Sequence, residues 1–106
     1  MAKYLWQVAY SSEGLTGVLK EGGTSRREMI EKLAANMGGT IESFHFAFGE
    51  NDAYIIGDFP SNVDVAAVAM TVGAAGAASV KTTVLLTPEE VDQATKKSVE
   101  YRPPGK

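Results

Sequence analysis

The chain has one histidine and no cysteine. That histidine, His45, stands in Ser43-Phe-His-Phe-Ala-Phe48, where phenylalanines alternate with Ser43, His45 and Ala47. An imidazole titrates near neutrality and suits proton transfer, which makes His45 the first candidate for a general base in a pocket. The competing reading is a histidine that only hydrogen-bonds across an interface. Gln7, Lys81 and Thr83 are polar residues inside runs patterned as strands, and Ser43 shares the parity of His45. Side chains of these types offer donors to a carbonyl or carboxylate, so Gln7, Ser43, His45, Lys81 and Thr83 form the candidate ligand-binding set. An ordinary solvated face, or the rim of a dimer, uses the same residue types.

Other chemistries find less support. Catalytic zinc takes three protein ligands, and a lone histidine without cysteines is a poor start; Glu42 is expected to face away from it, while Asp52 and Asp58 belong to a turn and the next strand. No metal is expected. Gly22-Gly23 resembles no phosphate-binding loop, because neither G-x-G-x-x-G nor a P-loop follows a strand here. No cofactor is expected, and no Ser-His-Asp arrangement can be picked out. Arg26 and Arg27 stand at an expected helix start, where cations complement the helix dipole poorly; an anionic ligand, an acidic partner or plain solvent are their possible companions.

Ten basic and thirteen acidic residues give a net charge of −3. With Lys and Arg scattered, no positive field attracts a polyanion, and nucleic acid is not an expected partner. The start MAKYLWQVAY lacks the long apolar core of a signal peptide. The longest apolar run, Val65 to Val80, is alanine-rich and broken by Thr71, Gly73, Gly76 and Ser79, too weak to span a bilayer. A cytoplasmic protein with no membrane segment is the expectation.

These residues need elements to position them. Lys3 to Tyr10 is rich in aromatic and branched residues and reads as a first strand, with Tyr4, Trp6, Val8 and Tyr10 on one parity as core. Ser12 to Lys20 reads as a helix broken at Gly22-Gly23, and a second start is expected at Ser25, with Glu28 completing a capping box. Met29, Ile30, Leu33 and Met37 mark its apolar face, and Gly38-Gly39 ends it. Ile41 to Phe48 alternates with a period of two, which predicts a strand with Phe44, Phe46 and Phe48 packed beneath an alanine-rich helix and His45 on the opposite side. Gly-Glu-Asn-Asp at 49–52 is a turn, and Ala53 to Phe59 returns as the second strand of a hairpin. Ser61 with Asp64 opens a third helix over Val63 to Ala77; Val80 to Leu86 is a fourth strand; Thr87-Pro88-Glu89-Glu90 starts a short last helix.

The order is β-α-β-β-α-β within residues 1–97, followed by a mobile tail over 98–106. In this split arrangement an antiparallel sheet carries its helices on one face, and its first and fourth strands are neighbours. That adjacency predicts that Gln7, Lys81 and Thr83 line the uncovered face with His45. An uncovered face bearing apolar groups is a liability for a monomer, so self-association as a homodimer or a multiple of one is expected.

The chain also resembles a known family, the small bacterial GYD-domain proteins. The likeness runs over nearly the whole chain and rests on KYLWQVAYSSEGL, EGGTSRRE, ESFHFAFGENDAYII and VKTTVLLTPEEV. It implies an α+β, ferredoxin-like fold with a four-stranded antiparallel sheet, assembled as a dimeric α/β barrel. The Gly-x-Tyr-Asp signature falls on Gly49, Glu50, Asn51 and Asp52, so asparagine stands where the family has tyrosine. If that tyrosine performs chemistry, it is lost here; if it shapes the turn, asparagine serves comparably.

The family carries no settled activity, and its wider relatives include cofactor-free monooxygenases, isomerases and ligand-sensing modules. Fold does not choose among them. The leading expectation is a self-associating module that binds a small organic molecule. The competing ones are a cofactor-independent oxygenase or isomerase with His45 as base and Gln7 or Lys81 as polar support, and a purely structural oligomer.

Overall fold

In the computed structural model, which describes residues 1–106, β1 (Ala2–Tyr10) leads into two helices, α1 (Ser12–Glu21) and α2 (Gly23–Asn36). The hairpin β2 (Thr40–Phe46) and β3 (Ala53–Phe59) follows, then α3 (Asn62–Ala75), β4 (Ala78–Leu85) and α4 (Pro88–Thr95). The strands form one antiparallel sheet in the order β2-β3-β1-β4, the α+β, ferredoxin-like arrangement, with β1 beside β4 as expected.

Strand alternation divides the sheet into two unlike faces. On one, Tyr4, Trp6 and Val8 of β1 meet Ala53, Ile55 and Phe59 of β3, and Ile30 and Ala34 of α2 with Val65 and Val68 of α3 complete the core. Tyr4 and Phe59 are its largest fully buried side chains, and Phe59 lies edge-on to Tyr4 and tilted against Trp6, with ring centroids 6.2 and 5.1 Å apart. On the other face stand Lys3, Leu5, Gln7 and Ala9 with Tyr54, Ile56 and Asp58, and none of these is buried. Neither α1 nor α4 buries a single residue.

Local chemistry sets most boundaries. Ser61 caps α3 by accepting from the Asp64 amide, and Thr87 and Glu90 close a reciprocal capping box on α4 behind Pro88 at its first turn. The restart after α1 differs from expectation. α2 begins at Gly23, its N-cap is Gly22 with φ of 86°, and no side chain caps it. Ser25 lies inside the helix and its hydroxyl reaches back to Glu21 at 3.5 Å, so the sequence Ser25…Glu28 is no capping box. The extra turn is possible because glycine tolerates the positive φ that redirects the chain.

Two further expectations change on β2. The phenylalanine stripe ends early: Phe44 packs against the core, Phe46 is 41% exposed, and Phe48 lies beyond the strand, fully exposed. The helix above Phe46 is α2, not the alanine-rich α3, and only the absence of a side chain at Gly23 admits it; a Cβ there would stand 2.9 Å from the Phe46 ring. A register shift between Ile41 and Ser43 then inserts Glu42 as an extra residue. That bulge turns Glu42 to Lys3 on the open face, where simple alternation had it facing away from His45.

Candidate functional site

The pairing registers bring one polar row across the open face. His45 of β2 pairs with Tyr54 of β3, Tyr54 with Gln7 of β1, and Gln7 with Lys81 of β4. In the next row Ser43 pairs with Ile56, Ile56 with Leu5, and Leu5 with Thr83. Gln7, His45 and Lys81 therefore share a line, Ser43 flanks its β2 end, and Thr83 flanks its β4 end. Three interstrand steps of about 4.8 Å separate the ends, roughly 14 Å of backbone, so Ser43 and Thr83 do not meet.

Tyr54 is the residue that sequence reasoning missed. It sits at the centre of the row, opposite both His45 and Gln7. The signal was present in the hairpin: with Phe46 opposite Ala53 across a six-residue connection, position 54 must face His45. Extending β2 to Phe48 hid that count.

The connection itself forms an end wall to the row. Asn51, only 5% exposed, donates from Nδ2 to the Tyr54 hydroxyl at 3.4 Å. Glu50 reaches across to Lys81 at 3.6 Å, an exposed pair of little energetic weight. Asp52 anchors the turn to the end of β1: its carboxylate accepts from the Tyr10 amide, and its own amide donates to the Val8 carbonyl, both at 2.7 Å. No residue other than glycine has a positive φ, so Asn51 is not there for a left-handed turn. Its side chain holds the phenol.

At the far end of the open face the character changes. The Lys3 ammonium bonds Glu42 and, at 3.2 Å, Asp58, and these hydrogen bonds, Glu42 first, hold its pKa above the ordinary lysine value. Leu5 and Ile56 separate this charged cluster from the His45 row. The open face thus reads as charged, apolar and polar bands in sequence along the strands.

The larger cavities lie elsewhere. A cleft of about 470 Å³ runs between α2 and α3, lined by Met29, Leu33, Met37, Val68 and Val72 among others, and His45 lines neither this cleft nor four other cavities of the molecule. No group of three or more His, Asp or Glu residues is placed to hold a metal ion. No helix is long and apolar enough to cross a membrane. Arg27 pairs weakly with Glu31 at 3.9 Å on the surface of α2, whereas Arg26 is half-buried four positions into that helix.

Comparison with known proteins gives one match: the model of the GYD domain covers residues 4–95. No curated protein and no solved structure is significantly similar to the chain.

Proposed function

The chain belongs to the GYD-domain family, and from that premise we propose that it is a self-associating module whose open sheet faces pair, as in a dimeric α/β barrel, and hold a small organic molecule over the His45–Tyr54–Gln7–Lys81 row. One observation carries the reading: four polar side chains from four strands fall on one register line beside the band formed by Leu5 and Ile56. A solvated face has no need of that segregation. Pairing two such faces buries Leu5 and Ile56 centrally and removes water from the polar row, where hydrogen bonds to a carbonyl or hydroxyl gain strength. Asn51, in the position of the family's tyrosine, then keeps a structural duty, orienting the Tyr54 phenol toward the enclosed space.

A cofactor-independent oxygenase or isomerase is the second reading, and the direct pairing of His45 with Tyr54 favours it. An imidazole next to a phenol offers a base and a donor to the same substrate oxygen. Native mass spectrometry of freshly purified protein, followed by assays of oxygen consumption and isomerisation with hydroxylated aromatic compounds, separates the readings when wild type and His45→Gln are run together. Glutamine keeps the polar reach and loses the titratable proton. A binding module retains its co-purifying ligand in both forms and turns nothing over. An enzyme retains ligand but loses turnover by about 10²-fold or more in the variant. A monomer free of ligand in both forms overturns the binding proposal.

A further inference from the structure

The helices that roof the sheet do not close over each other. The cleft that α2 and α3 leave between them, about 470 Å³, falls within the roughly 300 to 1,000 Å³ of small-molecule sites. Val68 is its one buried lining residue; Leu33, Met37 and Val72 are half-buried, and Met29 is 37% exposed. That grading from buried to exposed is the profile of a cleft open to solvent on the outer side of the helices. Apolar surface left open in this way is a liability unless something covers it.

Helical spacing builds the apolar walls. Met29, Leu33 and Met37 recur every fourth residue along α2 and its C-cap, and Val68 and Val72 do so on α3. From Met29 to Asn36 the helix rises about 10 Å, which suits an acyl chain of medium length. Methionine is flexible and polarisable and adapts to such a chain, whereas Val68 and Val72 give the other wall a fixed shape.

The charge along the cleft has one sign. Lys32 is the only ionisable residue that lines it, in a chain with thirteen acidic residues and ten basic ones. The ion pairs of the chain use Lys3, Arg27 and Lys81, and Lys32 enters none of them although Glu28 stands four positions earlier on α2. Lys32 is exposed, and a lysine stem covers apolar surface while its ammonium stays in water, so this charge serves the mouth of the cleft and not its floor. Asn36 adds an exposed amide one turn further along α2, while the Thr71 hydroxyl of α3 already donates to the Ala67 carbonyl at 2.7 Å. An apolar body with a single anionic head complements this arrangement. A cationic head meets Lys32 as a like charge, and a polyanion finds no second cation in the lining.

We propose that the cleft between α2 and α3 binds a medium-chain monocarboxylate, its chain against Met29, Leu33, Met37, Val68 and Val72 and its carboxylate in solvent at the mouth beside Lys32. The site is separate from the His45 row and does not depend on self-association.

The four methionines are separate reporters in the intact protein. Met29 and Met37 line the cleft, Met70 lines a different groove with Tyr4 and Val84, and Met1 is the exposed first residue. With the methionine methyl groups labelled with ¹³C, titration with decanoate below its micelle concentration is expected to move the Met29 and Met37 resonances in a saturable manner and to leave those of Met1 and Met70 in place. Decylamine, which has the same chain and the opposite charge, is expected to bind about threefold to fivefold more weakly, the size of an exposed ion pair, and acetate to have no effect. Lys32→Glu is expected to reverse the order and make decylamine the tighter ligand. Met29 and Met37 resonances that ignore decanoate overturn the proposal, and so does a response spread equally over all four methionines. Equal affinity of the wild type for decanoate and decylamine, or a response to phosphatidylcholine vesicles but not to decanoate, overturns it as well. The wild-type titrations decide the matter even if the glutamate variant folds poorly.

Discussion

The two faces of one sheet, built from the same strands, have opposite characters. Beneath the helices Tyr4, Trp6, Val8, Ala53, Ile55 and Phe59 are buried and interlock with α2 and α3. One residue along each strand, the chain presents Lys3, Leu5, Gln7, Tyr54, Ile56 and Asp58, and buries none of them. The difference follows from the two-residue period of a strand, which sends alternate positions to the core and to the open face. Substitutions on the covered face should act on unfolding, and those on the open face on association and binding.

The largest effect is expected at Phe59. Its side chain is fully buried between Tyr4 and Trp6, and Phe59→Ala should cost about 3 to 5 kcal/mol in denaturant unfolding. A loss under about 1 kcal/mol would erase the contrast between the faces. Phe46 tests how far the core extends along β2. The stripe in the sequence places it in a close-packed interior with a loss of the same size, but at 41% exposed under Gly23 it buries only part of its ring. Phe46→Ala should therefore cost about 1 to 2 kcal/mol. A value equal to that of Phe59 would mean that this edge is more enclosed than a single chain shows, as it would be in an assembly.

Asn51→Ala sharpens the contrast from the other side. Tyr54 is partly exposed, so water replaces the lost donor and stability should fall by about 1 kcal/mol or less. Ligand retention in native mass spectrometry should fall more visibly, because the phenol loses its orienting bond. Unchanged retention would detach the turn from the site.

The smallest effect concerns Lys3. Its pKa is raised in the folded state by Glu42 and then Asp58, so the folded form holds this proton more tightly than the unfolded form does. The resulting stabilisation is complete below the unfolded lysine value, about 10.4, and fades as pH rises through the folded one. Lys3→Met should remove that alkaline component from a pH series of unfolding midpoints and leave the slope near neutrality unaltered. A changed slope near neutrality would point to a different group.

Much of this contrast is legible in the sequence, for a physical reason. Parity along a strand assigns faces without any tertiary knowledge, and it correctly sets His45 opposite Phe44 and Phe46 and groups Tyr4 with Trp6. Caps at Ser61 and Thr87 are decided within four residues and can be read as such. The remainder depends on partners distant in the chain. The bulge at Glu42 is fixed by β3, and its consequence, the bond to Lys3, spans 39 residues. Tyr54 joins the row through strand register, which parity does not supply, and the turn that carries Asn51 is tied through Asp52 to the end of β1. The missing hydrogen-bond partner of Trp6 Nε1 is a property of the packed core, visible only once every neighbour is placed.

Pairing of the open sheet faces can be tested by sedimentation of the wild type and of Ile56→Lys at micromolar concentration. Ile56 lies in the apolar band of the open face, beside Leu5 and Ser43, and contributes nothing to the buried core. A lysine there places a charge in the centre of any paired face and reaches solvent freely in a single chain. The wild type is expected to sediment as a dimer, or a multiple of one, and the variant as a folded monomer. A wild type that sediments as a monomer, or a variant that keeps the wild-type mass, would contradict it.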